Sequence, residues 1–283
     1  MAKYRILYNP FSGNCDWEKS KKVLDEIING AKESYDVTKR RTEEVINEFA
    51  DDDIIILVGG DGTLNHFVND INCDFIPNPI YFYPTGTGND FARDIRRIDK
   101  NKIVKVDKYL KHLPEVEVEE RQYRFLNAIG FGLDGYCCEM GDQVRAMADD
   151  RSVNYAGIAI KGLLFKYEPT SATVTVDGEV HKYEKVWIAS TTFGKYYGGG
   201  MILSSAQERG NKDHTCSLVV VHDSGRLSTM MAFPSIIKGK TEGNNKMVDI
   251  YTGHEIKVEF NKPRTIQIDG ETILGVKEYT VKC

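Results

Sequence analysis

No apolar run in this 283-residue chain approaches the ~20 residues that a membrane-spanning helix needs. Met1-Ala2-Lys3-Tyr4 opens no secretory signal, so a soluble cytoplasmic protein is expected. The six cysteines, at 15, 73, 137, 138, 216 and 283, contain no C-x-x-C pair and no regular framework. Reduced core or surface thiols are therefore expected rather than disulfides or zinc ligands. There is no basic excess either. With 37 Lys and Arg against 42 Asp and Glu the formal charge is −5, which argues against a nucleic-acid binder. A local basic patch is still compatible with an acidic total, so a peripheral membrane encounter stays open. The six histidines, His66 and His222 among them, show no metal-ligand spacing. Internal repeats and low-complexity linkers are missing too.

Two glycine-rich segments stand out. Gly59, Gly60, Asp61, Gly62 and Thr63 follow the apolar run Ile54 to Val58, and Pro84-Thr85-Gly86-Thr87-Gly88-Asn89-Asp90-Phe91-Ala92-Arg93 follows Ile80 to Tyr83. Each reads as a buried parallel strand entering a loop and then a helix. Leu64, Phe67, Val68 and Ile71 recur at helical spacing with one buried stripe. Glycine lets backbone approach an anion, and the N–H groups of a new helix attract phosphate. Two such junctions suggest a nucleoside triphosphate site. A carboxylate in such a turn fits if a divalent cation separates it from the phosphates, making Asp61 the candidate for Mg-nucleotide work. For Gly-Asp-Gly alone, capping of a helix starting near Leu64 explains Asp61 equally well.

Strand and helix alternate over residues 1–106, which predicts a parallel α/β nucleotide-binding domain with its ligand loops at the carboxyl ends of the strands. A strand at 4–8 leads to a helix carrying Val23, Leu24, Ile27 and Ile28, which Gly30 can end. Over 107–276 the texture becomes β-rich, with runs at 116–119, 123–129, 172–177, 185–192, 216–221, 255–260 and 265–269 and a hairpin signal at Asp177-Gly178. Helical interruptions fall near 153–166 and 225–238. A mainly antiparallel β-sandwich is expected.

The two glycine motifs resemble the catalytic domain of the diacylglycerol kinase family, in its bacterial soluble lipid kinase branch. The second, with Asn89-Asp90-Phe91-Ala92-Arg93, is the more specific, since NAD kinases share the first. Further matches run in order along the chain: Asn9-Pro10-Phe11-Ser12-Gly13, Thr42, Gly130-Phe131-Gly132-Leu133-Asp134 and Asp269-Gly270-Glu271. The resemblance implies an ATP- and Mg²⁺-dependent kinase acting on a lipid hydroxyl, most simply that of diacylglycerol, with the active site in a cleft between two domains. It implies that Asn9, Ser12 and Gly13 form the first nucleotide loop, that Thr42 lies beside the adenine, and that Gly59 to Thr63 with Gly86 and Thr87 cradle the phosphates. Glu271 resembles the candidate general base; as residues alone, Asp-Gly before it also reads as a hairpin turn, and Asn9-Pro10 as a turn after a strand. Asp213, with Asp107, matches a structural Mg²⁺ site, and a last strand at about 277–283 would return to the first domain. The lipid substrate would be met at a membrane surface, and a homodimer is left open.

The chain departs from the pattern at Asn14, where relatives carry a basic residue, and at His66, where they carry Glu. It departs again at His214 after Asp213, where glycine is usual, and at Ser217, where another Asp is usual. Lys19, Arg40 or Arg41 could restore positive charge. An NAD kinase-like enzyme and a non-catalytic nucleotide-binding relative are the alternatives, although no Asn-Glu pair follows the second loop as the former would require.

Overall fold

In the computed structural model, which describes residues 3–11, 17–95, 103–147, 153–240 and 246–283, the chain divides into two units at Leu113/Pro114. The division lies seven residues beyond the expected 106/107, because Asp107–Tyr109 forms a 3₁₀ turn after the last strand of unit 1 and Leu110 and Leu113 are buried. Unit 1 contains β1 (Tyr4–Tyr8), α1 (Trp17–Ile27), β2 (Lys32–Asp36), α2 (Thr42–Ile46), β3 (Ile54–Gly59), α3 (Asp61–Asp70), β4 (Ile80–Pro84), α4 (Asp90–Asp94) and β5 (Val104–Lys105). Its described strands form one sheet in the order β2-β1-β3-β4-β5, parallel except for β5.

The β-branched run fixes the middle of that sheet. Ile55, Ile56, Leu57 and Val58 are all buried, as expected of a parallel strand covered on both faces. Leu64, Phe67, Val68 and Ile71 bury the stripe of α3, each such side chain contributing roughly 1.5–3 kcal/mol. At the sheet's other side Arg5 of β1 is buried and meets Asp53 at 2.6 Å. Burial opposes ionisation of Asp53, but bonds from the Lys3 amide and Arg5 outweigh it and hold the carboxyl below its ordinary range.

Unit 2 contains β6 (Glu115–Val118), β7 (Arg121–Arg124), β8 (Ala128–Gly132), α5 (Leu133–Met147), α6 (Tyr155–Lys161), a π-helical turn at Gly162–Lys166, β9 (Thr170–Val176), β10 (Glu179–Thr192), β11 (Cys216–His222), α7 (Arg226–Ile236), β12 (Val248–Gly253), β13 (Glu255–Ile268) and β14 (Glu271–Lys282). The strands pair antiparallel throughout. Two long strands organise them: β10 pairs β9 with its first half and β8 with its second, and β13 does the same. Register shifts in β10 between Tyr183 and Ile188, and in β13 between Glu259 and Ile266, fall where each strand changes partner. Bulges of this kind bend a strand and let it pass from one layer to another.

Three expectations are corrected. The last strand does not return to unit 1: β14 pairs with β13 from Glu271 to Lys282 and with β6 at Thr280 to Lys282, so the expected 277–283 segment is a member of the unit 2 sheet. The run at 123–129 is broken between β7 and β8, and the runs at 255–260 and 265–269 join as β13. Finally, Cys216 and Cys283 form a disulfide with Cα atoms 6.6 Å apart. The ladders explain it: Cys216 lies opposite Gly253, and Lys282 lies opposite Glu255, so the turn between β12 and β13 brings residues 67 apart in sequence together. Cys73, Cys137 and Cys138 are thiols, and Cys15 lies outside the described residues.

Candidate active site

The two glycine loops of unit 1 are built onto each other. Thr85 N–H donates to Gly59 O at 2.8 Å. A Cβ on Gly86 would sit 2.7 Å from Gly60 Cα, so only glycine permits that approach of two backbones. Asp61 begins α3, behind Gly60 as its N-cap, and α3 thus starts three residues before Leu64. The Asp61 carboxylate crosses to the other loop, where Oδ2 accepts from Asp90 N–H at 2.9 Å and Oδ1 from Phe91 N–H at 3.0 Å. It therefore caps α4 rather than its own helix. Asn89, left-handed at φ +48°, turns the chain into α4 and donates from Nδ2 to Gly86 O at 2.6 Å. Thr85 Oγ1 and Asn89 Oδ1 are buried and bond to no protein atom. A nucleotide's phosphates and their Mg²⁺ fit this cradle: each Asp61 oxygen keeps a lone pair, and close backbone approach is already built. Thr87 is exposed at the loop tip, and Gly62 and Thr63 lie in the first turn of α3.

A hollow of about 260 Å³ opens beside these loops, lined by Leu7 and Asn9 of the β1 end, Leu57, Thr63, His66 and Phe67 of β3 and α3, and by Val37, Thr38, Thr42 and Asp70. The chain leaves β1 toward β2 on one side and continues in β3 on the other, so the hollow sits at the sheet's topological switch point, where open α/β sheets bind ligands. Asn9 forms a turn with its Oδ1 accepting from Phe11 N–H at 2.9 Å, and Thr42 Oγ1 donates to Asp70 Oδ2 at 2.7 Å. A second hollow of about 360 Å³ shares Val37, Thr38, Thr42 and Asp70 and is rimmed by Lys39, Arg40 and Arg41. Those cations have carboxylate neighbours: Lys39 pairs with Asp36 at 3.1 Å and Arg40 with Glu48 at 2.5 Å. Asp70 and Thr38 were not among the sequence-derived candidates, and the expected Ser12 and Gly13 lie outside the described residues.

In unit 2, Asp269 and Gly270 make a two-residue hairpin turn with φ +49° and +95°, the left-handed pair of a type I′ turn. Asp269 is an anchor: its carboxylate accepts from the N–H groups of Leu126, Asn127 and Ala128 at 2.6, 2.7 and 3.0 Å. Glu271, exposed, follows as the first residue of β14. Nearby, Arg209 donates to Asn127 Oδ1 at 2.8 Å. Asp213 is exposed on a loop that is closed by amides. Asn211 Nδ2 donates to Glu208 O and Thr215 O, Asn211 Oδ1 accepts from Thr215 N–H, and Gln207 Nε2 donates to Thr215 O. His214 takes φ +52° where glycine is expected. Asp107 belongs to unit 1, in the 3₁₀ turn after β5 and 3.8 Å from Lys105. No cluster of three or more His, Cys, Asp or Glu able to hold a metal occurs among the described residues. The residues of the 207–217 loop do not by themselves fit a structural Mg²⁺, which demands several converging oxygens.

The motif Gly130 to Asp134 contributes a buried acid. Asp134 accepts from Ser190 Oγ and, at 3.3 Å, from Tyr197 OH. Burial pushes its carboxyl up to about 6 despite those two bonds. Burial also pushes up the neighbouring thiols of Cys137 and Cys138, the latter to about 12, and the Tyr197 hydroxyl. Gly130 makes room for the pair, since a Cβ there would collide with Ser190 Oγ.

Residues 3–119 match the family profile of the diacylglycerol kinase catalytic domain, and residues 127–282 match the YegS C-terminal NAD kinase beta sandwich-like domain. A diacylglycerol kinase of Bacillus subtilis is 26% identical over 287 residues, covering 96% of this chain and 90% of that protein. YtlR of the same organism, provisionally named a lipid kinase, is 27% identical over 227 residues, 71% of each chain. The crystal structure of a diacylglycerol kinase from Bacillus anthracis superposes with a TM-score of 0.65 at 19% identity, covering 99% of this chain and 93% of that one, a likeness of fold.

Proposed function

The chain belongs to the diacylglycerol kinase catalytic-domain family, and on that premise we propose that it transfers the γ-phosphoryl group of ATP to the hydroxyl of a diacylglycerol or related glycerolipid. The observation that carries this reading is the pair of glycine loops clamped by Asp61 beside the hollow at the β1/β3 switch point. Backbone N–H groups of Gly59 to Thr63, with Gly86 and Thr87, hold the phosphates. The nucleoside sits in the hollow against Asn9, Thr38 and Thr42.

Phosphoryl transfer is mostly positioning and charge neutralisation, so this preformed cradle does the larger part of the work. Mg²⁺, when bound with the nucleotide, would supply the neutralising charge, and Asp61 is the residue that would hold it. Glu271 accepts the proton of the attacking lipid hydroxyl as the new P–O bond forms, a contribution of roughly 10²–10⁴-fold.

The test is radiolabelled ATP with Mg²⁺ and, in parallel, diacylglycerol, phosphatidylglycerol, a sphingoid base and NAD, with products identified by mass. Phosphatidic acid from diacylglycerol is the expected product. Phosphorylated NAD would replace this reading with an NAD kinase-like one, and nucleotide binding without any product would make the chain a non-catalytic relative.

A further inference from the structure

The helix α3 spans the candidate nucleotide site from end to end. Asp61 begins it at the glycine loops and Asp70 ends it. At ~1.5 Å per residue these ends lie about 13 Å apart, which suits a nucleotide laid from its phosphates to the far edge of its base. The hollow follows the same helix, since Thr63, His66, Phe67 and Asp70 all line it. Its floor is apolar, with Leu7, Leu57 and Phe67 buried. Its polar side chains differ between the two ends. At the β1 end Asn9 has Oδ1 occupied by the Phe11 N–H, so its amide NH₂ is what it offers. At the Asp70 end the hydroxyl protons are already spent. A carboxylate only accepts, so Thr42 Oγ1 donates to Asp70 Oδ2 at 2.7 Å and Thr38 Oγ1 to Asp36 Oδ1 at 2.6 Å. Burial opposes ionisation of Asp36, but the bonds from the Thr38 hydroxyl and amide, with Lys39, outweigh it and hold the carboxyl below its ordinary range. Both threonine hydroxyls therefore present lone pairs, and Asp70 Oδ1 has no hydrogen-bond partner among the described residues. The neighbouring cations do not reverse this polarity, because Lys39, Arg40 and Arg41 face Asp36, Glu48 and Glu43.

An edge made of acceptors selects a ligand edge made of donors. An exocyclic amino group, at C6 of adenine or C2 of guanine, supplies them. Hypoxanthine has no amino group and carries a carbonyl at C6, and uracil has carbonyls on both sides of its N–H, so their lone pairs would face the carboxylate. A site whose charged acceptor loses its partner in this way rejects the analogue. We infer that Asp70, supported by the Thr42 and Thr38 hydroxyls, is the base-selecting edge of the hollow, reading an exocyclic amino group and so favouring ATP over ITP. The inference rests on the nucleotide reading of the hollow and goes beyond it, because it assigns selectivity to a residue outside both glycine loops, at the opposite end of α3.

Calorimetric titration of the full chain with ATP, ITP and GTP, each with Mg²⁺, tests this. ATP is expected to bind at least ~10-fold tighter than ITP, the scale of one hydrogen bond to a charged group. GTP differs from ITP only by its C2 amino group, so tight GTP beside weak ITP supports the same edge with guanine as the base. Asp70→Asn keeps the shape but turns an NH₂ toward the hollow. It should weaken ATP and tighten ITP, bringing the two within ~2-fold of each other. Asp70→Leu, with neither donor nor acceptor, should weaken ATP and spare ITP. Asp70 is exposed at the end of its helix, and the ratio of two ligands on one preparation does not depend on how much of a variant is folded. Equal binding of ATP and ITP by the wild type, or an unchanged ratio in both variants, overturns the inference and leaves the nucleotide reading standing. Binding of none of the three nucleotides overturns both.

Discussion

Asp61 does two jobs with one carboxylate. Its two oxygens hold the first N–H groups of α4, and so hold the second glycine loop against the first. Asp61→Asn keeps one acceptor and turns a donor toward the other N–H, so it disturbs the clamp and also removes the charge proposed to hold Mg²⁺. Turnover should fall at least ~10²-fold, by the scale of lost electrostatic stabilisation. Denaturant unfolding should also lose about 1–3 kcal/mol, the cost of an unmade bond to a charged group. Steady-state kinase assays and urea curves check both, and wild-type values in each would reduce Asp61 to an incidental turn residue. Asp134 yields the opposite sign. Its carboxyl rises from 3.8 to about 6 because burial disfavours the ion, with the bonds from Ser190 and Tyr197 only partly compensating. Between about pH 4 and 6 the folded chain keeps a proton that the unfolded chain has released, so stability falls as pH rises through that window. The full penalty at pH 8 is about 3 kcal/mol at ~1.4 kcal/mol per unit. Asp134→Asn should match the wild type near pH 4 and exceed it near pH 8 in denaturant midpoint; a parallel pH dependence in both proteins would remove Asp134 as its source.

At the scale of elements, what the sequence reveals depends on which side of a contact carries the side chain. The helix α3 is legible because Leu64, Phe67, Val68 and Ile71 make its contacts, and β3 because its whole run is buried. The helix α5 is not, because its buried positions are Leu133, Gly135 and Gly141. A Cβ on Gly135 would lie within 2 Å of Thr265 O, and one on Gly141 would strike the Tyr155 ring, so this helix packs through missing side chains and leaves no periodicity to read. The Asn261 to Arg264 stretch hides the unity of β13 by interrupting its alternation at a bulge. In the site, the glycine loops and Thr42 are readable as local motifs. The Asp269 anchor is not, because its three partners lie more than 140 residues away. The disulfide is invisible for the same reason and is testable. Cys216→Ser, or reductant on the wild type, should cost about 2–4 kcal/mol of unfolding free energy by releasing the crosslink across the β12/β13 turn. Reductant should have no effect on the Cys216→Ser protein; equal sensitivity in both would assign the effect to another thiol.

At the scale of the whole molecule, catalysis asks the two units for different things. Unit 1 holds two glycine loops clamped by Asp61 and a hollow at a switch point, which carry the nucleotide side of the proposed reaction. In unit 2 the proposed proton acceptor stands on an anchored hairpin: Glu271 follows a type I′ turn whose aspartate is pinned by three amides, so its backbone position is set by hydrogen bonds at the start of β8 rather than by a loose loop. A primary hydroxyl is a poor nucleophile, and proton acceptance matters only as the transition state forms. Glu271→Gln retains shape and hydrogen bonding but cannot take the proton. It should lower kcat by ~10²-fold or more while the ATP dissociation constant changes less than ~2-fold, because general-base help appears in the transition state and not in nucleotide binding. Asp269→Ala is the structural counterpart: it frees the hairpin and should lower stability together with turnover. Single-turnover assays, ATP titration and unfolding curves on both variants separate these cases. Loss of ATP affinity in parallel with kcat in Glu271→Gln would make the residue a structural part of the hairpin, and an active Glu271→Gln enzyme would assign the proton to another acceptor.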